Sequence, residues 1–396
     1  MITSRTSLSC GIAALFVCAA AGAHDVEIVG VDGTTFTGNL TALTPELVLE
    51  SDAGETTLAL SDVLFIRPLA AAPSSAPSDA GGAHRFELSD GSTFTGRIAG
   101  GEGRSLEVRV LGGQSGRLNL SGVRSILALA APPAAKRKLD EMLAENLRED
   151  VAIVLRGGAP LALRGSVRGV TADGVTFQWR DRKLPLPWRK LSALALRQAS
   201  RRTAYQRVVL LSGDVFAGEI AGGNDATLNL RSVAFPSLVI AWKRVGRVEC
   251  RSTRIVFLSD VRPASYEFDP YFVKKWPVGR DRSLTGKPLR LGGRVYEKGL
   301  VLKSRSVLVF AIGRRFKQLA GTVGILDEMQ GRGDAAVAII GDGRTLWENA
   351  HVRGGQPPLN FVVDVNGVQE LALVVDYGAD LDLSDHVCFA LPRLIR

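Results

Sequence analysis

Apolar and polar positions along the chain follow one pattern used four times and a second pattern used once. The repeated pattern opens on Asp32-Gly33, Asp90-Gly91 and Ser212-Gly213, each between alternating apolar stretches. Such pairs predict hairpin turns, because the turn needs residues that accept positive φ. The openings share Gly-x-x-Phe-x-Gly: Gly33, Phe36, Gly38; Gly91, Phe94, Gly96; Gly213, Phe216, Gly218. The second glycine reads as a bend or bulge in the following strand. A looser copy runs from Arg156-Gly157-Gly158 to Gly165. Each segment closes on apolar residues at offsets zero, two, five and eight: Leu58, Leu60, Val63, Ile66; Leu118, Leu120, Val123, Ile126; Leu186, Trp188, Leu191, Leu194; and Ile240, Trp242, Val245, Val248. That spacing fits a strand, a tight turn and a second strand, giving about five short strands per unit.

Between the repeats the pattern lapses. Ala70 to Ala83, rich in Ala, Pro, Ser and Gly, has linker composition. Leu139, Leu143 and Leu147 recur at i, i+4 and i+8 and predict a short amphipathic helix, packed on a neighbouring unit or offered to a partner. From Ile255 the grammar changes, with strands expected at Tyr296, Val307 to Ile312, Leu319 to Ile325, Ala335 to Ile340, Leu359 to Val365, Leu371 to Tyr377 and Val387 to Leu394. Seven or more strands in about 140 residues imply two facing sheets around one core. The partition is then 1–23, a targeting segment; 24–69, 84–130, 151–198 and 199–252, four small β units; 70–83, a linker; 131–150, a linker with the helix; and 253–396, the C-terminal sandwich.

Length and composition agree. The 396 residues exceed one ordinary core, and 46% hydrophobic against 22% charged content suits folded domains. Arg5, the apolar run Cys10 to Ala20 and Ala21-Gly22-Ala23 form a cleavable export signal, so a mature chain would start at His24 in a secreted or periplasmic location. A lipid anchor at Cys18 is the rival reading, disfavoured by the bulky Val17 before it. Export leaves Cys250 and Cys388, which either pair or stay as buried thiols.

The residues carry two resemblances. In glycine hairpin and closing strands, the repeats resemble Sm-like and SH3-like small barrels, in pattern only. The C-terminal stretch resembles the NPCBM family, a carbohydrate-binding module appended to many secreted glycosidases and built on a galactose-binding-like jelly roll. The residues that carry this are Phe257-Leu258-Ser259-Asp260, Tyr296-x-Lys298-Gly299-Leu300, Val323 to Glu328, Asp342-Gly343-Arg344, Leu346-Trp347, Asp364-Val365-x-Gly367, Leu371-x-Leu373-x-Val375 and Asp385-His386, in order. The fold class expected is mainly β: tandem small SH3/Sm-like barrels followed by a β-sandwich jelly roll. Two departures stand out. Lys303 occupies a position where the family carries His, and Val387-Cys388-Phe389 follows Asp385-His386 in place of Ala-Asp-Trp. First and last strands of a jelly roll often run side by side, which makes a Cys250 to Cys388 disulfide a candidate.

Sugar recognition needs a ring face and convergent polar groups; Asp327, Trp347, Tyr377, Asp385, His386 and Lys303 are the candidates. The alternatives are a core role for Trp347 and a structural role for His386. Asp376, Asp380, Asp382 and Asp385 lie close in sequence, either as hard-oxygen donors to a structural calcium ion or as a solvated acidic loop. No other cofactor is called for. No metal-spaced His/Cys set, Gly-x-Ser-x-Gly elbow or catalytic-sized remainder is present, so the expectation is a non-enzymatic protein. The net charge of +9 falls to +8 with the loss of Arg5, and suits anionic envelope glycans better than nucleic acid once the chain is exported. The functional expectation is a carbohydrate-binding C-terminal domain on scaffold repeats that offer protein contacts. An envelope assembly protein without sugar binding is the alternative. Glycoside hydrolysis and nucleic-acid binding rank below both.

Overall fold

The computed structural model describes residues 25–396 apart from 45, 70–80, 112–114, 146, 198–205, 253, 270–275 and 380. The export signal and most of the first linker therefore lie outside the described residues. The fold is mainly β, in two bodies of sheet. Among the described residues no helix is long and apolar enough to cross a membrane.

Each repeat holds five antiparallel strands in the order fourth, third, second, first, fifth. In the first unit they are Asp25–Gly30, Thr35–Leu43, Glu46–Ser51, Gly54–Ala59 and Val63–Pro68. The opening turn glycines have φ of 96°, 93° and 83° at Gly33, Gly91 and Gly213, the left-handed region a side chain resists. The second glycine of the motif has a different task. A Cβ there would stand 2.3, 2.9, 2.0 and 2.6 Å from a carbonyl oxygen of the facing strand at Gly38, Gly96, Gly165 and Gly218. The second strand folds so closely over the third at this point that only hydrogen fits. A bulge follows in every unit, at Leu40/Ala42, Ile98/Gly100, Val167/Gly169 and Ile220/Gly222, adding curvature. The closing offsets are strand, 3-10 turn, strand: Leu60–Asp62, Leu120–Gly122, Trp188–Lys190 and Trp242–Arg244 are the turns.

The units do not associate in chain order. The fifth strand of the first unit pairs with that of the fourth, Val245–Cys250, placing Ile66 beside Val248 and Phe65 beside Glu249. The fifth strand of the second unit, Val123–Ala128, pairs with that of the third, Leu191–Ala195. The second and fourth units join through Phe86, Phe94, Phe216 and Phe235, with ring centroids 4.7 to 5.9 Å apart. Buried Asp214 accepts the Thr95 amide across this seam and meets half-exposed Arg85 at 3.4 Å. Each aromatic pair adds about 1 kcal/mol beyond its buried area. An ion pair with one exposed partner adds less than about 1 kcal/mol, so the rings dominate. One hydrophobic core runs through all four units. The helix, Pro133–Ala144, lays Ala135, Leu139 and Met142 on Val151, Ile153, Ala193 and Ala195 of the third unit.

The C-terminal domain is a two-sheet sandwich. One sheet runs Gly279–Arg280, Gly299–Leu302, Val387–Ile395, Gln318–Ile325, Leu359–Asp364, with Ile255–Phe257 also pairing Val387–Ile395. The other runs Ser265–Phe268, Ser306–Ala311, Glu370–Tyr377, Asp334–Gly341, Arg344–Arg353. Leu300, Phe310, Leu373, Phe389 and their neighbours fill the space between. All nine residues of Val387–Ile395 are buried. Inward residues meet the core; Cys388 and Ala390 are covered by the hairpin strands Leu289–Leu291 and Arg294–Tyr296; Arg393 donates to the Val31 carbonyl of the first unit.

The proposed disulfide does not form: Cys250 and Cys388 are both free and buried. First and last strands are neighbours, but the register defeats the bridge. Ile255 lies opposite Ile395, so Cys250 runs off the far end of the last strand. Cys388 stands seven residues back, about 23 Å along it. Burial pushes the Cys250 thiol up to about 12 and raises Cys388 as well, which keeps both unreactive.

Replacing Gly165 with Ala forces a Cβ onto the Gln178 carbonyl and should cost about 3 kcal/mol, read as a fall in the urea midpoint. Gly169→Ala, whose Cβ would meet only the Gly103 carbonyl at 3.6 Å, should leave that midpoint nearly unchanged. Equal effects from both would refute the close-approach account.

Candidate functional site

Sheet register assembles one cluster at an end of the sandwich. Leu302 and Ile325 both lie opposite Val387, so the residues just beyond these strand ends converge: Lys303 and Ser304, Leu326 to Glu328, and Asp385-His386. Backbone bonds tie the loops, with Leu326 N donating to the His386 carbonyl and His386 N to Ser384. Asp385, fully buried, accepts the Ser304 hydroxyl and the Asp334 amide, the latter at 3.1 Å. Its carboxylate fixes the loop that presents His386.

Trp276 joins this cluster from the segment before Gly279–Arg280. Its ring lies 6.0 Å from the His386 ring at 62°, and the Lys303 ammonium is 5.9 Å from its centroid. Lys303 also approaches Asp382 at 3.9 Å. Glu328 Oε2 accepts the Thr285 hydroxyl at 2.9 Å, while Oε1 stands 3.8 Å from His386 Nδ1, too far for a direct hydrogen bond. Among the described residues these two atoms are buried without a hydrogen-bond partner. Buried polar atoms are normally satisfied, and a shift of a few tenths of an ångström in either side chain would bring these two within hydrogen-bond distance of each other. Burial, and next the Lys303 charge, depress the His386 pKa below the ordinary 6.5, leaving a neutral imidazole at neutral pH.

Lys303, Asp385 and His386 are thus brought together, with Asp385 as a support. The other candidates do not reach the cluster with their side chains. Asp327 accepts the Gly292 and Gly293 amides, both at 2.8 Å, pinning a hairpin turn. Trp347 packs against the core 5.8 Å from Phe361. Tyr377 ends a strand of the opposite sheet, 5.8 Å from the Arg305 guanidinium. The calcium candidates diverge. Asp376 binds its neighbour's amide and faces Arg305, Asp382 faces Lys303, and Asp385 is enclosed. Asp380 lies outside the described residues. Among the described residues no group of three or more His, Cys, Asp or Glu is placed to hold a metal ion. Trp276 and Glu328 were not anticipated as site residues. A tryptophan in a Pro-flanked stretch without alternation was the available signal for the first.

A concavity of about 460 Å³ lies where the first and fourth units meet the C-terminal domain. Most of its charges are already matched. Arg207 bonds Glu249 at 3.1 Å and Glu297 at 3.4 Å, Arg247 bonds the same two carboxylates, and Lys298 is held by Asp260 and Asp281. Burial and the neighbouring Glu297 raise the Glu249 pKa. This is largely an ion-paired seam.

Comparison with known proteins follows the same boundary. Residues 254–395 match the NPCBM/NEW2 domain and constitute an NPCBM domain. A Renibacterium salmoninarum protein named "Putative endo-alpha-N-acetylgalactosaminidase" is 31% identical over 90 residues, 23% of this chain, and the chain spans 6% of that protein's length. The CBM51 of Clostridium perfringens GH95, solved with methyl-galactose, is 22% identical over 35% of this chain and 99% of its own, with a TM-score of 0.32. The tandem CBM51 modules of a Streptococcus pneumoniae family 98 glycoside hydrolase are 11% identical over 93% of this chain and 88% of theirs, also with a TM-score of 0.32.

The His386 environment makes a titration prediction. Its midpoint, followed by imidazole NMR, should fall below 6.5, and Lys303→Gln should move it upward. The unfolded chain binds this proton more readily, so stability from this group is present above pH 6.5 and declines as pH falls below it. A midpoint at or above 6.5, or one indifferent to Lys303, would contradict the described burial.

Proposed function

We propose that this protein is an exported, non-catalytic binding protein whose C-terminal domain takes carbohydrate at the Trp276, Lys303, Glu328 and His386 cluster. The observation that carries the reading is the half-buried Trp276 ring set beside the polar side chains of Lys303 and His386 at one end of the sandwich. A sugar presents an apolar ring face and hydroxyls that both donate and accept, a combination that an aromatic ring flanked by polar side chains can meet. The NPCBM domain at 254–395 supports the same ligand class. Export rests on the reading of residues 1–23. The non-catalytic part of the proposal is supported by the state of the carboxyl pair Glu249 and Glu297, which two arginines neutralise within a domain seam.

A second reading, an envelope assembly module without sugar binding, is favoured by the last strand. Arg393, on the flank away from the sandwich core, is spent on the first unit. On either reading the repeats act as scaffold.

A glycan array probed with the full chain tests the choice. Retention on a subset of glycans is expected. Trp276→Ala should weaken it at least about tenfold, and EDTA should leave it unchanged, since Asp376, Asp382 and Asp385 are engaged elsewhere. Failure of the unaltered protein to be retained on any glycan, with or without calcium, would favour the assembly reading.

A further inference from the structure

Charge is divided sharply between two of the four repeats. Residues 24–69 hold eight Asp and Glu against one Arg, and residues 151–198 hold nine Arg and Lys against two Asp. The first unit is thus as acidic as the third is basic. Strand pairing joins the first to the fourth and the second to the third, and the Phe cluster joins the fourth to the second. Among the described residues no strand pairing joins the first unit to the third. The two complementary units stand at opposite ends of this order of contacts, and their charges do not meet through it.

Part of each charge excess lies on the same hairpin, the one formed by third and fourth strands: four of the eight acidic residues in the first unit, and three of the nine basic residues, flanking Asp181, in the third. In the first unit, Glu46–Ser51 and Gly54–Ala59 present Glu46, Glu50, Asp52 and Glu55, all exposed and in no ion pair among the described residues. The register sets Glu50 directly opposite Glu55. Like charges facing across a strand pair repel, so this hairpin gains from a cation brought between them. In the third unit the equivalent strands, Gly174–Trp179 and Arg182–Pro187, are capped by Arg180, Arg182 and Lys183, also exposed and in no ion pair among the described residues. Arg180 holds a left-handed φ of 54° and stacks 5.0 Å from the Trp179 ring centroid, which keeps its guanidinium outside the unit.

We infer that the protein associates head to tail, with the acidic hairpin of one copy docked on the basic hairpin of the next. Pro185 and Pro187 lie in the fourth strand of the third unit and have no N–H to offer a new ladder. The contact is therefore carried by side chains, Glu50, Asp52 and Glu55 against Arg180, Arg182 and Lys183, and not by strand addition. Both faces sit on one chain and differ from each other, so the interface is heterologous and a chain of copies extends unless its rotation happens to close a ring. A second copy is favoured over a polyanion, because a polyanion would neutralise the third unit while being repelled by the first. The inference does not depend on sugar binding by the C-terminal domain.

Sedimentation velocity across protein concentration tests it. At about 20 mM salt the weight-average mass should at least double as concentration rises, and at about 0.5 M salt it should return to that of a monomer. A variant with Arg180→Glu, Arg182→Glu and Lys183→Glu, and another with Glu50→Lys, Asp52→Lys and Glu55→Lys, should each remain monomeric at low salt. Each should keep the circular dichroism and unfolding midpoint of the parent. Mixing the two should restore association, since each then supplies the face the other has lost. The inference is overturned if the parent stays monomeric at every salt concentration, if either variant associates alone, or if the parent multimerises only when polyglutamate or a sulfated polysaccharide is added.

Discussion

The structure hangs on the burial of one strand along its entire length. Val387–Ile395 pairs with Gly299–Leu302 on one side and with Gln318–Ile325 on the other, and its far end takes Ile255–Phe257 as well. Its opening residue sets the register that draws Lys303, Leu326 and His386 to a single point. Its closing third carries Arg393, whose guanidinium is desolvated against the first repeat and has its pKa lowered to about 10 by that burial. The candidate ligand site and the junction with the repeats are opposite ends of one extended segment. A strand held at both flanks transmits position well, because close-packed interiors yield little.

The repeats obey a related constraint, which is closeness of backbone to backbone. Four glycines lie where facing strands leave room for hydrogen alone, and a bulge follows each of them. The curvature so produced leaves the fifth strand with a free edge. Each fifth edge is then spent on another unit, which answers the hazard of unpaired strand edges by pairing them inside the molecule. The result is an interlocked body with one core in place of beads on a string.

Much of this architecture was legible in the chain. Alternation located the seven strands named for the C-terminal domain, the turn glycines marked the hairpins, and the offsets ending at Ile66, Ile126, Leu194 and Val248 marked strand, turn and strand. What escaped was set by contacts between distant segments. Nothing local says that Ile66 will lie beside Val248, or that Ile255 will meet Ile395 and so strand Cys250 far from Cys388. The site divided in the same way. Lys303, Asp385 and His386 were visible as polar residues at strand ends. Asp327 and Trp347 were equally visible, yet the fold spends the one on two backbone amides and the other on Phe361. Trp276 and Glu328 gained a role only through sheet register. Of the four loop aspartates, Asp376 and Asp382 face different cations, Asp385 accepts a hydroxyl and an amide, and Asp380 lies outside the described residues.

The pairing of the first unit with the fourth also carries a temporal consequence. On a ribosome the strand Val63–Pro68 is complete roughly 180 residues before Val245–Cys250 exists to cover its edge, several seconds or more at ordinary synthesis rates. Over that interval the open edge carries a single charged side chain, Arg67, so little on the strand itself discourages premature strand addition. The order of units in the gene and the order of contacts in the fold differ, and a chaperone able to hold a half-finished edge would find its substrate here.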